Sequence, residues 1–286
     1  MIGRRRFLTI IAGAFAAGPA PAAEWTGRAL GADARILIRG GSAAAELLTD
    51  LRAEIARIEE IFSLFRGSEI ARLNRDGDVM ASADLLDALT LARRVHDATG
   101  GVFDPAVQSL WHALADGAAP GPLRAFGGLV RAGRHLRLAP GEALTLNGIA
   151  QGIATDRVAD LLANRGLGEI LVDLGECRAI DGDFALELAD PQAGLLGRLT
   201  LRAGRAMATS SPGALILAGG HSHIIGPQGQ PPRWSTVSVE ADTAALADAA
   251  STAFVLMDRP AIAYAARQLG VDRVRLIDFD GNLTTL

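Results

Sequence analysis

From residue 32 to 39 apolar and polar positions alternate, the period of two of a half-buried strand. From 43 to 64 the period changes: Leu47, Leu48, Leu51, Ile55, Ile58, Ile61 and Phe62 recur at helical spacing and predict one amphipathic helix. Residues 68–74 predict a short second helix, and 83–99 a third that Gly100-Gly101 stops. Asp104-Pro105 predicts a new helix start, with the carboxylate as cap and proline in the first turn. Residues 116–128, rich in Gly, Pro and Ala, predict a surface excursion. Two short strands are expected at 135–138 and 143–146, around a Pro140-Gly141 turn, and then a helix at 152–165. Further strands are expected at 169–174, 184–189 and 199–202, short extended pieces at 206–209 and 223–225, and a β-rich segment at 235–240. Helices at 244–256 and 261–269, a strand at 274–278 and a turn at Gly281 complete the pattern. There is no internal repeat. Long helices interleaved with adjacent strands argue for an α+β fold rather than regular βαβ units.

The N-terminal pattern is of another kind. Arg4, Arg5 and Arg6 precede Phe7 and an apolar run from 8 to 17, which Gly18, Pro19 and Pro21 break. Ala20-Pro21-Ala22 offers the small residues a signal peptidase cleaves after. The run is too short to span a bilayer as a mature helix. Paired arginines followed by Phe-Leu favour the twin-arginine route. Residues 1–22 are therefore expected to be an export signal, and 23–286 one domain acting in the periplasm. No cysteine follows the cleavage region, so a lipid anchor is not expected.

Composition narrows the chemistry. A net charge of -4 grows more negative once the three leader arginines are removed, and no basic block remains, which argues against a nucleic-acid binder. The chain contains no lysine, so neither a Schiff base nor a lysine phosphate clamp is open to it. The single Cys177 excludes an internal disulfide and reads as core filler.

Three stretches carry candidate chemistry. Asn147-Gly148-Ile149-Ala150-Gln151-Gly152-Ile153-Ala154-Thr155-Asp156 opens a helix, where glycines allow close approach and free N–H groups attract phosphate. It reads equally as a glycine-punctuated turn into a helix. Asp248 and Thr252 stand four apart on one helix face, and a carboxylate beside a hydroxyl suits magnesium. A structural carboxylate and a threonine bonded to its own helix would look the same. In His221-Ser222-His223-Ile224-Ile225-Gly226-Pro227, an extended chain would turn both histidines to one face. A zinc pair, a general base and a hydrogen-bonded loop histidine all remain open there.

The order of the motifs is more specific than any one of them. Phe62-Ser63-Leu64-Phe65-Arg66, Ser68-Glu69-Ile70 and Leu73-Asn74 come first, then Gly100-Gly101-Val102-Phe103-Asp104-Pro105. The glycine-rich helix start, Val172-Asp173-Leu174-Gly175-Glu176, Ala208-Thr209-Ser210-Ser211, His223-Ile224-Ile225-Gly226-Pro227 and Ala247-Asp248-Ala249-Ala250-Ser251-Thr252-Ala253 follow. From about residue 29 onward this series resembles the ApbE family, the FAD:protein FMN transferases, with a NosX-like character associated with nitrous-oxide respiration. The resemblance implies one compact ApbE/T-fold-like domain of mixed, mostly antiparallel sheet with packed helices. It implies that FAD is split at its pyrophosphate, that FMN is joined to a Thr or Ser of a target protein, and that AMP leaves. It further implies Mg2+ held by Asp248, Thr252 and the carbonyl of Ala154, and His223 as the group that deprotonates or orients the acceptor. Leu30, Phe65, Val102, Phe103, Asp104 and Gln151 would line the FAD site. A NosR-type electron-transfer protein is the first target the branch resemblance suggests.

The chain departs from the family at four places. Gln151 stands where Lys or Glu is usual, Gly175-Glu176 where Gly-Gly is usual, Gly226 where Asp is common, and Leu30-Gly31-Ala32 in place of Met-Gly-Thr. Two other readings stay open: an exported FAD carrier or maturation factor without chemistry, and an FAD pyrophosphatase giving FMN and AMP.

Overall fold

The structure is a computed structural model that describes residues 23–39, 45–117, 126–217 and 220–286. The expected leader, residues 1–22, lies outside the described residues. In chain order, β1 (Ala23–Ala29) and β2 (Ala32–Arg39) form a hairpin, followed by α1 (Ala45–Phe62), α2 (Glu69–Asp76), β3 (Asp78–Met80) and α3 (Ala83–Ala98). A single 3-10 turn, Pro105–Val107, leads into α4 (Gln108–Ala115); then come β4 (Val130–Ala132), β5 (His135–Arg137) and α5 (Asn147–Ala163). Five strands follow: β6 (Glu169–Asp173), β7 (Cys177–Ile180), β8 (Phe184–Asp190), β9 (Gly194–Leu201) and β10 (Ala206–Ser210). The chain closes with β11 (Thr236–Ala241), α6 (Ala244–Phe254), α7 (Arg259–Leu269), β12 (Arg273–Ile277) and β13 (Leu283–Thr285).

Eight strands make one sheet in the order β1-β2-β6-β7-β10-β11-β12-β13, and each neighbouring pair is antiparallel. The α+β expectation is met, with this sheet wholly antiparallel rather than mixed. Side-chain alternation explains why both its faces are buried. Ile36, Ile38, Ile170 and Val172 enter the core beneath the helices, while Leu37, Leu171, Cys177 and Met207 enter a second cluster with Phe184, Leu186 and Leu201. The β8–β9 hairpin supplies those last three and so covers the far face. Cys177 is buried and free, as core filler would be. A separate three-stranded sheet, β3-β5-β4, stands apart from the large one. No helix among the described residues is long and apolar enough to cross a membrane.

Three expectations need correction. Residues 143–146 form no strand, because the Asn74 side chain takes the place of a strand partner: its amide donates to the Leu144 carbonyl and its carbonyl accepts the Leu144 N–H, both at 2.8 Å. Residues 223–225 bend rather than extend, and only an isolated bridge, Ile216 to Ser222, marks that loop. The excursion at 116–128 ends inside the protein: Phe126 is buried, and its N–H donates to Asp104. Residues 118–125 lie outside the described residues.

Candidate active site

The glycine-rich start of α5 works through what its glycines lack. A Cβ on Gly152 would lie 2.4 Å from the Ala244 carbonyl oxygen and 2.6 Å from Ala245 Cα, so α5 and α6 meet backbone to backbone there. The Gly152 N–H reaches across and donates to Asp248 Oδ2 at 3.1 Å. A Cβ on Gly148 would lie 2.9 Å from Thr252 Cγ2 and 3.0 Å from its Oγ1. The expected pair on α6 thus faces the expected glycines on α5. Asp156, four residues beyond Gly152, caps α6 by accepting the Ala244 and Ala245 N–H groups, and pairs with Arg178.

The end of β10 and the β6–β7 turn close the other side. Ser210 Oγ lies 2.8 Å from Ser251 Oγ and 3.5 Å from Thr252 Oγ1. Glu176 is buried; one of its carboxylate oxygens accepts the Thr209 N–H and its carbonyl accepts the Thr155 hydroxyl. Gln151 lies over Gly175, where a Cβ would come within 2.6 Å of the amide nitrogen and where φ is +103°. Only glycine suits that turn. Glu176, Ser210 and Ser251 belong to motifs visible in the sequence, yet no spacing rule picked them out as neighbours of Asp248.

These carboxylates sit in low dielectric. Burial pushes the Asp248 carboxyl up to about 7, with the Gly152 N–H opposing and the Asp156 charge adding. Burial also holds the Glu176 carboxyl well above its ordinary range, and Asp248 reinforces this. Asp173 is raised to about 6, again by burial. Among the described residues neither Asp248 nor Glu176 has a cation beside it. No group of three or more His, Cys, Asp or Glu side chains is placed to hold a metal among those residues. A metal here would draw on carboxylate, hydroxyl and carbonyl oxygens together, a hard donor set that fits magnesium. Ala154, the expected carbonyl donor, is buried within α5, two residues beyond Gly152.

His223 lies on the loop that leaves β10. Its Nδ1–H donates to the Leu215 carbonyl at 3.1 Å, and the Ser222 hydroxyl donates to the Pro212 carbonyl, two residues past Ser210. Burial lowers the His223 pKa, with the Leu215 and Pro212 carbonyls opposing. Burial thus favours the neutral ring, and because a carbonyl only accepts, the nitrogen facing Leu215 is the one that carries a proton. His221 is exposed, whereas His223 is partly buried.

The expected flavin contacts fall in three places. Leu30 occupies the β1–β2 turn, and Phe65, 79% exposed, follows α1. Val102, Phe103 and Asp104 follow α3, and the next residue, Pro105, accepts the Thr145 N–H just before α5 begins. Phe103 is buried, with its carbonyl on His96 Nδ1. Both Asp104 oxygens are engaged, one by the Ala106 N–H and one by the Phe126 N–H, and its side chain is 2% exposed. Its capping role is therefore what this structure displays.

An antiparallel sheet packed by helices, two of which meet at a glycine-rich helix start over a buried carboxylate, defines the class to which this chain's architecture belongs: an α+β scaffold. Within that class, the ApbE family profile matches residues 30–274, and the chain belongs to the ApbE family. A FAD:protein FMN transferase of Rhodobacter capsulatus is 31% identical over 155 residues, covering 50% of this chain and 30% of that protein. The match thus spans under a third of that relative's length. Among solved structures, the flavin transferase ApbE from Vibrio cholerae superposes with a TM-score of 0.78 at 22% identity, covering 92% of this chain and 96% of that one. The apo flavinyl transferase ApbE of Pseudomonas stutzeri gives 0.78 at 21% identity, covering 92% and 93%. The ApbE protein from Thermotoga maritima gives 0.79 at 21% identity, covering 92% and 96%.

Proposed function

We propose that this protein is a magnesium-dependent FAD:protein FMN transferase acting in the periplasm. The observation that carries the reading is the meeting of Asp248, Thr252 and Ser210 at the glycine-rich start of α5. Membership of the ApbE family and the activity in the name of the Rhodobacter relative support it.

In the reaction, the acceptor hydroxyl oxygen bonds to the FMN phosphorus, the P–O bond to the AMP moiety breaks, and AMP leaves with that electron pair. His223 is suited to receive the hydroxyl proton on Nε2, because Nδ1 keeps its own proton toward Leu215. Asp248, Thr252 and the Ala154 carbonyl would hold magnesium, which when bound supplies positive charge against the pyrophosphate. Leu30, Phe65, Val102, Phe103 and Gln151 would contact FAD, with Asp104 fixing the segment that carries Phe103. The arginine leader supports export by the twin-arginine route, and the NosX-like motifs support a NosR-type electron-transfer protein as target.

The test is incubation with FAD, magnesium and a soluble NosR-type domain, read by intact mass, beside an established ApbE-family enzyme on the same domain. We expect a gain of one FMN at a Thr or Ser. His223→Ala should slow transfer at least about a hundredfold, and Asp248→Ala should abolish it. No adduct from this chain where the reference enzyme makes one would overturn the reading. AMP release without acceptor would favour the pyrophosphatase, and partner maturation that survives Asp248→Ala would favour the carrier.

A further inference from the structure

Leu30 and Gly31 form the two-residue β1–β2 turn with φ of +49° and +86°. Positive φ at both central residues is ordinary for Asn-Gly and strained for leucine. Strain of this kind persists only where the surroundings hold it. Here the Leu30 N–H donates to Glu59 Oε1 at 3.1 Å, from the last turns of α1. The other Glu59 oxygen, Oε2, meets Arg66 Nη2 at 2.9 Å, next to Phe65. One carboxylate, 16% exposed, thus ties the hairpin turn to the loop after α1. Those two loops carry Leu30 and Phe65. A bond from a backbone N–H to a carboxylate is charge-assisted and outweighs the partly exposed ion pair beside it.

We infer that Glu59 is a positioning residue for the flavin: it fixes Leu30 in its left-handed conformation and sets the Phe65 loop against it, without touching the reacting atoms. The inference rests on the proposed FAD site. Glu59→Ala releases both loops. Glu59→Gln keeps an acceptor for the Leu30 N–H and loses the charge that holds Arg66. Glu60→Ala, at the exposed neighbouring position, is the control.

The experiment pairs FAD titration by flavin fluorescence with amide hydrogen exchange on peptides covering residues 28–33 and 63–67, in the full mature chain. Glu59→Ala should weaken FAD binding about tenfold, as expected for a lost charge-assisted bond that pre-organised a site. Exchange should speed up in both peptides, while kcat at saturating FAD stays within about twofold. Glu59→Gln should fall between, at about threefold, with exchange faster in 63–67 than in 28–33, and it serves if the alanine variant fails to fold. Glu60→Ala should match wild type. Faster exchange with unchanged FAD affinity would make Glu59 merely structural and overturn the inference, as would unchanged exchange. If wild type binds FAD, Glu59→Ala weakens it and no FMN is transferred, the inference stands and the transferase reading falls. A wild type that binds no FAD overturns both.

Discussion

Asp248 would be an uneconomical residue if it only capped or packed. Its carboxyl is buried against a backbone N–H and faces two further acids, Asp156 and Glu176. Because the folded value is raised from 3.8 to about 7, the folded protein favours the protonated form. That stability is present below the unfolded value and is lost as pH rises through about 7. In EDTA, the melting temperature should therefore fall between pH 4 and 8, and Asp248→Asn should raise it at pH 8 by about 3–5 °C. Glu176 and Asp173, raised in the same sense, should keep part of the slope. An Asn variant no more stable than wild type at pH 8 would show that Asp248 ionises there without cost. The sequence made the Asp248–Thr252 pair legible, since i, i+4 spacing on one helix needs no tertiary knowledge. It could not show that Glu176 is its neighbour, because a β-turn and a distant helix meet only through the fold.

The α5–α6 contact is where an element-scale argument separates stability from function. A methyl on Gly152 would meet backbone atoms of α6, which cannot turn aside. Gly152→Ala should cost about 3 kcal/mol, measurable by urea unfolding, and a loss under 1 kcal/mol would mean that the helices slide apart freely. The atoms nearest to a methyl on Gly148 belong to the Thr252 side chain, which can rotate. Gly148→Ala should leave stability within about 1 kcal/mol of wild type while weakening magnesium dependence of transfer, because the Thr252 hydroxyl is displaced. The long helices were read from sequence to within about two residues, since their apolar faces repeat at helical period, except that α5 begins at Asn147 rather than 152. β1, β3, β4, β7 and β13 were not. β1 turns Ala23, Trp25, Gly27 and Ala29 inward, and the Trp25 ring lies against Gly27, so small residues hide its alternation. β3, β4, β7 and β13 span only 3, 3, 4 and 3 residues, too few for a period to declare itself.

The proposed site would draw on Leu30 in the first hairpin, Gln151 in α5, Glu176 after β6, Ser210 at the end of β10, His223 on the next loop and Thr252 in α6. No contiguous part of the chain contains it, and the order of the motifs was legible while their convergence was not. A site assembled across an eight-stranded antiparallel sheet in which β2 pairs with β6 and β7 with β10 exists only when the whole domain is folded. Loss of FAD binding and loss of helical circular dichroism should therefore trace one transition in urea. Flavin release well before the unfolding of the helices would show that the site is a separately melting region. The same cooperativity gives the expected leader a consequence, because the twin-arginine route carries folded proteins. Precursor held in the cytoplasm by a transport block should already bind FAD, with an affinity within about twofold of the mature chain. A precursor that is folded by circular dichroism yet binds no FAD would mean that the leader masks the site, and that loading follows export.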